Sequence, residues 1–282
     1  MGANSVTVVR WKPLKRDLNI LMTVKTSNTV ARVSRVIFPA VGAEVTADDG
    51  DAVRFCSTCA FSQACIAEGM DKTALRDLHV LVEHIGPLQP GTHVFREGES
   101  FDAIAAVRGG TVKTSRIDRD GREQVLGFHL PGEVIGLSAI DDERYPCNAI
   151  ALNTVHLCRF SFPKIAILAM RLPGLQRQLF RLLSRDISHG ERLAADHSAD
   201  ERIAAFLIEM SRRLATRGFS ADRFQLTMPR TDIANYLRLT PETVSRRLRR
   251  FQDEGAIQVR RREVELKDRG RLETLAEPIL RP

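Results

Sequence analysis

The sequence predicts an α+β chain in which an antiparallel β-roll is followed by a long amphipathic helix and a C-terminal winged helix-turn-helix. Three observations lead there. Between Gln89 and Phe162, short β-prone runs such as "AIAAVRGGTVKTSRI" and "EQVLGFHL" alternate with corners rich in Gly and Asp, the pattern of a small closed antiparallel sheet. Leu175, Leu179, Leu182, Leu183 and Ile187 then recur every three to four residues, which marks one face of a helix. Near the C-terminus, "TDIANYLRLTPETVSRRLRRFQDEG" reads as two short helices joined by a tight turn.

From the N-terminus, residues 1–50 show no sustained period and end in "AEVTADDGDAV", so they read as a disordered extension in which Met22 is a second candidate start. Residues 51–70 carry three of the five cysteines, Cys56, Cys59 and Cys65. "DKTALRDLHVLVEHIG" then places Leu75, Leu78, Leu81, Val82 and Ile85 at helical spacing and stops on Gly86, predicting a helix that opens the roll domain, residues 71–165. Within the roll, Asp120-Gly121 separates two strand-like runs and predicts a hairpin, because Gly tolerates the positive φ of tight turns. Residues 166–197 form the long helix; its leucine stripe suits either the body of the protein or a second copy of the chain. The winged domain occupies 198–282, opening on Ser198 and Glu201 in capping-box spacing, with Gly218 as the stop.

In the helix-turn-helix, Ile233, Ala234 and Leu237 supply a buried face for the first helix, near residues 231–237. "RLT" makes the turn, Thr240 caps the second helix, Pro241 fits its first position and Gly255 ends it. Val244, Leu248 and Phe251 form its buried stripe, so Glu242, Thr243, Ser245, Arg246, Arg249 and Arg250 face outward. That is the layout of a recognition helix: N-terminal residues reach base edges and arginines neutralise phosphates. Between Arg223 and Arg262, ten arginines stand against four acids, a surplus of six positive charges out of +7 for the 282-residue chain. Such a segment suits double-stranded DNA. "QVRRREVELKDRG" adds a β-wing.

Other classes fit less well. The most apolar N-terminal run, "LNILMTV" (18–24), is short and carries Asn19, so neither a signal peptide nor a span is expected and the chain reads as cytoplasmic. There is no Gly-rich dinucleotide loop, nucleophile elbow or His-Glu-x-x-His, so no enzyme is expected. The Cys-x2-Cys-x5-Cys spacing leaves an iron–sulfur cluster, zinc or redox thiols open on chemistry alone.

Cys56, Cys59 and Cys65 ahead of a roll, then "GFHLPGEVIG" (127–136), "ADERIAAFLIEMSRR" (199–213), "RGFS" (217–220) and "LTPETVSRRLRRFQ" (239–252), resemble the FNR branch of the CRP/FNR transcription regulators. The resemblance runs in order over residues 55 to 265. It implies a roll of the cyclic-nucleotide-binding type, a homodimer on promoter DNA, contact with RNA polymerase, and a [4Fe-4S] cluster whose destruction by oxygen weakens dimerisation and DNA binding. It implies a fourth cysteine ligand at the end of the roll, where "HLCRFSF" carries Cys158; Cys147 in "RYPCNA" is the runner-up. It gives Glu242, Ser245 and Arg246 the reading of a TTGAT-type inverted repeat, and makes Leu175, Leu179, Leu182, Leu183 and Ile187 the self-association face. The long extension and the short, polar "SHGERLAADHS" (188–198) depart from the family pattern. The alternative is a regulator of the same fold answering to a cyclic nucleotide, nitric oxide or zinc/thiol redox. Against the nucleotide, Arg144 lacks the following Ser/Thr-Ala that pairs with a cyclic phosphate in nucleotide-binding relatives.

Overall fold

Glycine at the corners lets the β-prone runs fold back on one another; Gly121, at φ +76°, turns the chain between the two hairpin strands that flank it. The computed structural model describes residues 25, 26, 29, 30, 56, 59, 61, 64–194 and 196–280, with backbone alone at 25, 26, 29, 30, 189 and 191–194. In the N-terminal unit, residues 1–46, β1 (Lys25–Thr26) pairs antiparallel with β2 (Thr29–Val30). The rest of the extension expected to be disordered lies outside the described residues.

The second unit begins with the cysteine segment and α1 (Lys72–His79). The roll follows as two four-stranded antiparallel sheets. One runs β3 (Val82–Leu88), β10 (Val155–Ser161), β5 (Ala103–Gly109), β8 (Val134–Ile135). The other runs β4 (His93–Phe95), β9 (Asn148–Ala151), β6 (Val112–Ile117), β7 (Glu123–His129). The helix expected up to Gly86 therefore ends early. Asp71 caps it, accepting from the Ala74 N–H at 2.8 Å, but Val82–Leu88 leaves the helical path to pair with β10. Pro87 has no N–H with which to continue a helix, and pairing along β10 outweighs the local apolar spacing.

β5 and β10 are covered on both faces, so residue parity decides which core a side chain joins. Ala105, Val107, Val155 and Leu157 point into the roll, where they meet Phe95, Tyr145, Cys147 and Ala149. Ile104, Ala106 and Phe160 point outward and pack with Ile66, Leu78, Leu175 and Leu182, with Cys65 and Cys158 at the margin of the same cluster.

α2 (Phe162–Arg171) leads into α3 (Pro173–Ala194). The leucine stripe on α3, expected as a self-association face, mostly faces the chain's own roll. Leu175 and Leu182 are buried against the chain's own roll, and Leu179 and Leu183 pack partly onto the same cluster. Ile187 is 64% exposed, and Phe180, which the stripe omitted, is 62% exposed. Helical spacing correctly found an apolar face, but the outer face of β5 and β10 takes most of it.

The last domain comprises α4 (Ala199–Ala215), with the Ser198–Glu201 capping box formed, β11 (Arg223–Gln225), α5 (Arg230–Tyr236), α6 (Pro241–Asp253), the wing strands β12 (Ile257–Arg260) and β13 (Glu263–Leu266), and α7 (Arg269–Leu280). Its core continues into the roll, since Val125, Phe128 and Leu130 join Phe206, Tyr236 and Leu237 in one cluster. Polar ties line the seam: Asn235 accepts from the Val125 N–H at 2.8 Å and donates to the Glu123 carbonyl at 2.6 Å. Lys113 pairs with Glu123 and Asp232 at 2.9 and 3.1 Å.

The strongest tie is Glu133. Its carboxylate receives Arg213 Nε at 2.9 Å, Arg217 Nη2 at 2.7 Å and the Leu130 N–H at 2.9 Å, while the two guanidiniums also donate to the Phe128 and Pro131 carbonyls. Burial would raise the Glu133 pKa, but the Arg213 and Arg217 charges win and hold it down at about 2. Glu133→Gln, which strands both guanidiniums, is expected to cost roughly 3 kcal/mol at pH 7. Because the folded pKa lies below the unfolded value of about 4.3, this contribution is whole above about pH 5 and fades as pH falls towards 2. Urea unfolding of both proteins at neutral and acid pH should show the gap closing; a gap independent of pH would refute the assignment.

Candidate cysteine centre and nucleic-acid interface

The cysteine segment is anchored by Ile66, fully buried beneath it, and Ala67. The Phe61 carbonyl accepts from the Ala64 N–H at 3.0 Å, and the Cys65 carbonyl from the Glu68 N–H at 3.1 Å, so this stretch is a chain of tight turns. It lies on the turn at Gly132, where a Cβ would meet the Ala64 Cβ at 3.0 Å and the Phe61 carbonyl at 3.2 Å. Phe61 also stacks on Phe219, with centroids 6.1 Å apart, just beyond α4.

Cys56, Cys59, Cys65 and Cys158 are half-buried and reduced. Burial pushes the Cys56 thiol up, with Cys59 adding to it. Burial takes Cys65 to about 12, with Cys158 and Cys59 contributing, and takes Cys158 to about 11, with Cys56 and Cys59 contributing. The Arg108 guanidinium works the other way on Cys56 and Cys158. Cys158 sits opposite His84 in the β10–β3 pair, its Sγ 3.7 Å from the His84 Nδ1. Cys147 stands apart inside the roll, its thiol raised to about 11 by burial and by Glu97.

Among the described residues, no three His, Cys, Asp or Glu side chains converge closely enough to hold a single metal ion. A four-iron cluster asks for a different arrangement, with one thiolate on each iron. Four thiolates give such a cluster a net negative charge, so a guanidinium beside them fits that group. The donor set and Arg108 are compatible with it.

On the DNA side, Thr240 Oγ1 accepts from the Thr243 N–H at 3.2 Å, Pro241 takes the first helical position, and Val244, Leu248 and Phe251 are buried. Glu242, Ser245, Arg246 and Arg249 are exposed. Arg246 and Arg249 carry no ion pair among the described residues. Two residues of the expected face have other engagements. Thr243 is half-buried and shares a hydrogen bond with the Thr240 hydroxyl at 3.0 Å. Arg250 pairs with Glu254 at 2.8 Å and with Asp200 at 3.1 Å, bracing α6 against α4. The wing adds a basic tip absent from the expected contact set. Arg260, Arg261 and Arg262 are exposed there, and Arg261 stands at φ +57°, a conformation Gly would take more easily. Three consecutive arginines at a hairpin turn were the signal available.

A Crp-like helix-turn-helix domain model matches residues 201–275, and a cyclic nucleotide-binding domain model matches 86–171. The transcriptional activator protein Anr of Pseudomonas aeruginosa is 42% identical over 216 residues, 76% of this chain and 88% of that protein. The fumarate and nitrate reduction regulatory protein of Escherichia coli K12 is 38% identical over 224 residues, 78% of this chain and 90% of that one. Among solved structures, FixK2 from Bradyrhizobium japonicum aligns with a TM-score of 0.62 at 29% identity, over 69% of this chain and 96% of its own. The chain belongs to the FNR branch of the CRP/FNR family. This FNR-branch protein is a DNA-binding transcription regulator. No helix among its described residues is long and apolar enough to cross a membrane.

Arg246 and Arg249 are both exposed on α6, and the base-reading role that the resemblance implies for Arg246 predicts that the two respond differently to substitution. On the TTGAT-type duplex that the resemblance implies, Arg246→Ala should cost roughly 1–3 kcal/mol and relax preference at one base pair. Arg249→Ala should weaken specific and unrelated duplexes alike and reduce the salt slope by about one charge. Fluorescence anisotropy between about 50 and 200 mM salt reads both; identical behaviour of the two variants would overturn the division.

Proposed function

We propose that this chain is an oxygen-responsive transcription regulator that holds a [4Fe-4S] cluster on Cys56, Cys59, Cys65 and Cys158. The observation that carries the reading is the parity of β10, which turns Cys158 out of the roll towards the cysteine segment while Cys147 stays within the roll. The names of relatives point the same way; one from Haemophilus influenzae is called an anaerobic regulatory protein. When bound, the cluster supplies reactivity towards oxygen. The protein's part is to hold four thiolates, shield them with Ile66 and Phe61, and offer Arg108 as a countercharge.

In this reading the chain is a cytoplasmic homodimer whose exposed apolar residues on α3, Phe180 and Ile187 with half-buried Leu183, meet their copies. Two recognition helices then address half-sites of an inverted TTGAT-type repeat about 34 Å apart, in contact with RNA polymerase. A tenfold change in dimerisation needs only about 1.4 kcal/mol, within reach of a group bound more tightly by one state than by the other. A cyclic nucleotide is a poor competitor, because Arg144 lacks the Ser/Thr-Ala that should follow it and donates instead to the Gly98 carbonyl at 2.7 Å.

The test is iron and acid-labile sulfide per chain after anaerobic purification, followed by the visible spectrum as air is admitted. About four of each, with absorbance that decays in air, is expected. Cys158→Ala should abolish this content and Cys147→Ala should keep it. The reverse pattern, or zinc in place of iron, would sink the assignment.

A further inference from the structure

We infer that Gln178 is the positioning residue through which the state of the cysteine segment reaches the self-association helix; the inference rests on the function proposed above. Gln178 lies on α3 within the inward stripe, between Leu175 and Leu182, and is only 1% exposed. Its amide nitrogen donates to the Cys65 carbonyl at 3.1 Å and to Glu68 Oε2 at 3.0 Å. Arg185, two turns further along the same helix, reaches Glu68 Oε2 at 3.9 Å. The helix thus grips the backbone of a proposed ligand and the carboxylate three residues beyond it.

The choice of residue is informative. The Gln178 amide oxygen is buried with no hydrogen-bond partner, a state that buried polar groups normally avoid. A leucine, as at the neighbouring stripe positions, would fill the slot without that penalty. What the glutamine gains is the bond to Cys65. If the segment lets go, both amide protons lose their acceptors inside an apolar cluster, and an unpaired buried amide is strongly disfavoured. The helix must then turn or tilt to bring Gln178 to water. Phe180 and Ile187 project from the opposite side of the same helix, so that movement displaces the residues proposed to meet the second copy. The two sites are joined by one rigid element with a gripped and an ungripped arrangement, which is what a coupling free energy requires.

The test is a linkage measurement. Dimer dissociation constants are obtained by sedimentation equilibrium for cluster-loaded and cluster-free protein, in wild type and in Gln178→Leu, with iron and sulfide content measured on the same samples. The loaded Gln178→Leu protein should retain its cluster, while the ratio of cluster-free to loaded constants falls about fivefold or more. A residue that only fills space would shift both constants together and leave the ratio unchanged, and that result overturns the inference. So would loss of the cluster from Gln178→Leu, which would make Gln178 a support for Cys65 alone. Equal constants in loaded and cluster-free wild type would overturn the oxygen-switch reading, and this inference with it. Should Gln178→Leu fail to fold, Glu68→Gln weakens the same grip from the segment side; the ratio should again fall, by a smaller factor, and an unchanged ratio counts against the inference.

Discussion

The double coverage of β5 and β10 is the constraint on which the rest of the molecule depends. A strand wrapped on both faces commits every residue to one of two cores, and a slip of one position would exchange all of them. In register, Val107 and Leu157 fill the roll, while Ile104 and Phe160 receive the cysteine segment and the long helix. The register of β10 shifts next to Leu157, against both neighbouring strands. The irregularity therefore sits just before Cys158, yet the alternation carries through it: Val155 and Leu157 point in, Cys158 and Phe160 out.

Outward from this face, the contacts differ in strength. Burying Ile66 contributes roughly 1.5–3 kcal/mol, whereas the Phe61–Phe219 stack adds about 0.5–1.5 kcal/mol beyond its area. Glu133 belongs to a third kind of tie. Its attraction to Arg213 and Arg217 outweighs its own burial, and removing it would strand two guanidiniums that also serve backbone carbonyls.

Much of this was legible in the sequence because it rests on local rules. Thr240, Pro241 and Gly255 delimit the recognition helix by capping chemistry that needs no knowledge of the rest of the fold, and the Asp120-Gly121 hairpin needs only a tolerant φ. The parity of "VHLCRF" could also have been read, since a strand alternates whatever its neighbours are. What stayed hidden was decided by distant partners. Val82 and Ile85 have helical spacing, but β10 takes them as strand. Leu175 and Leu182 look like a surface seam until the outer face of the roll is seen to cover them. Gln178 had a signal, a polar residue on an apolar stripe, but its acceptor lies 113 residues away in sequence.

The seam between the roll and the winged domain bears on modularity. Val125, Phe128 and Leu130 are roll residues by sequence, yet they complete the core of the DNA-binding domain. A C-terminal fragment cut at the linker before Ser198 would leave Phe206, Tyr236 and Leu237 without part of their wall. Exchange of DNA-binding domains between relatives is then limited less by the linker than by the fit of this patch: a graft carries its specificity across only with a matching β7 beneath it. The roll and the winged domain share one core at this seam.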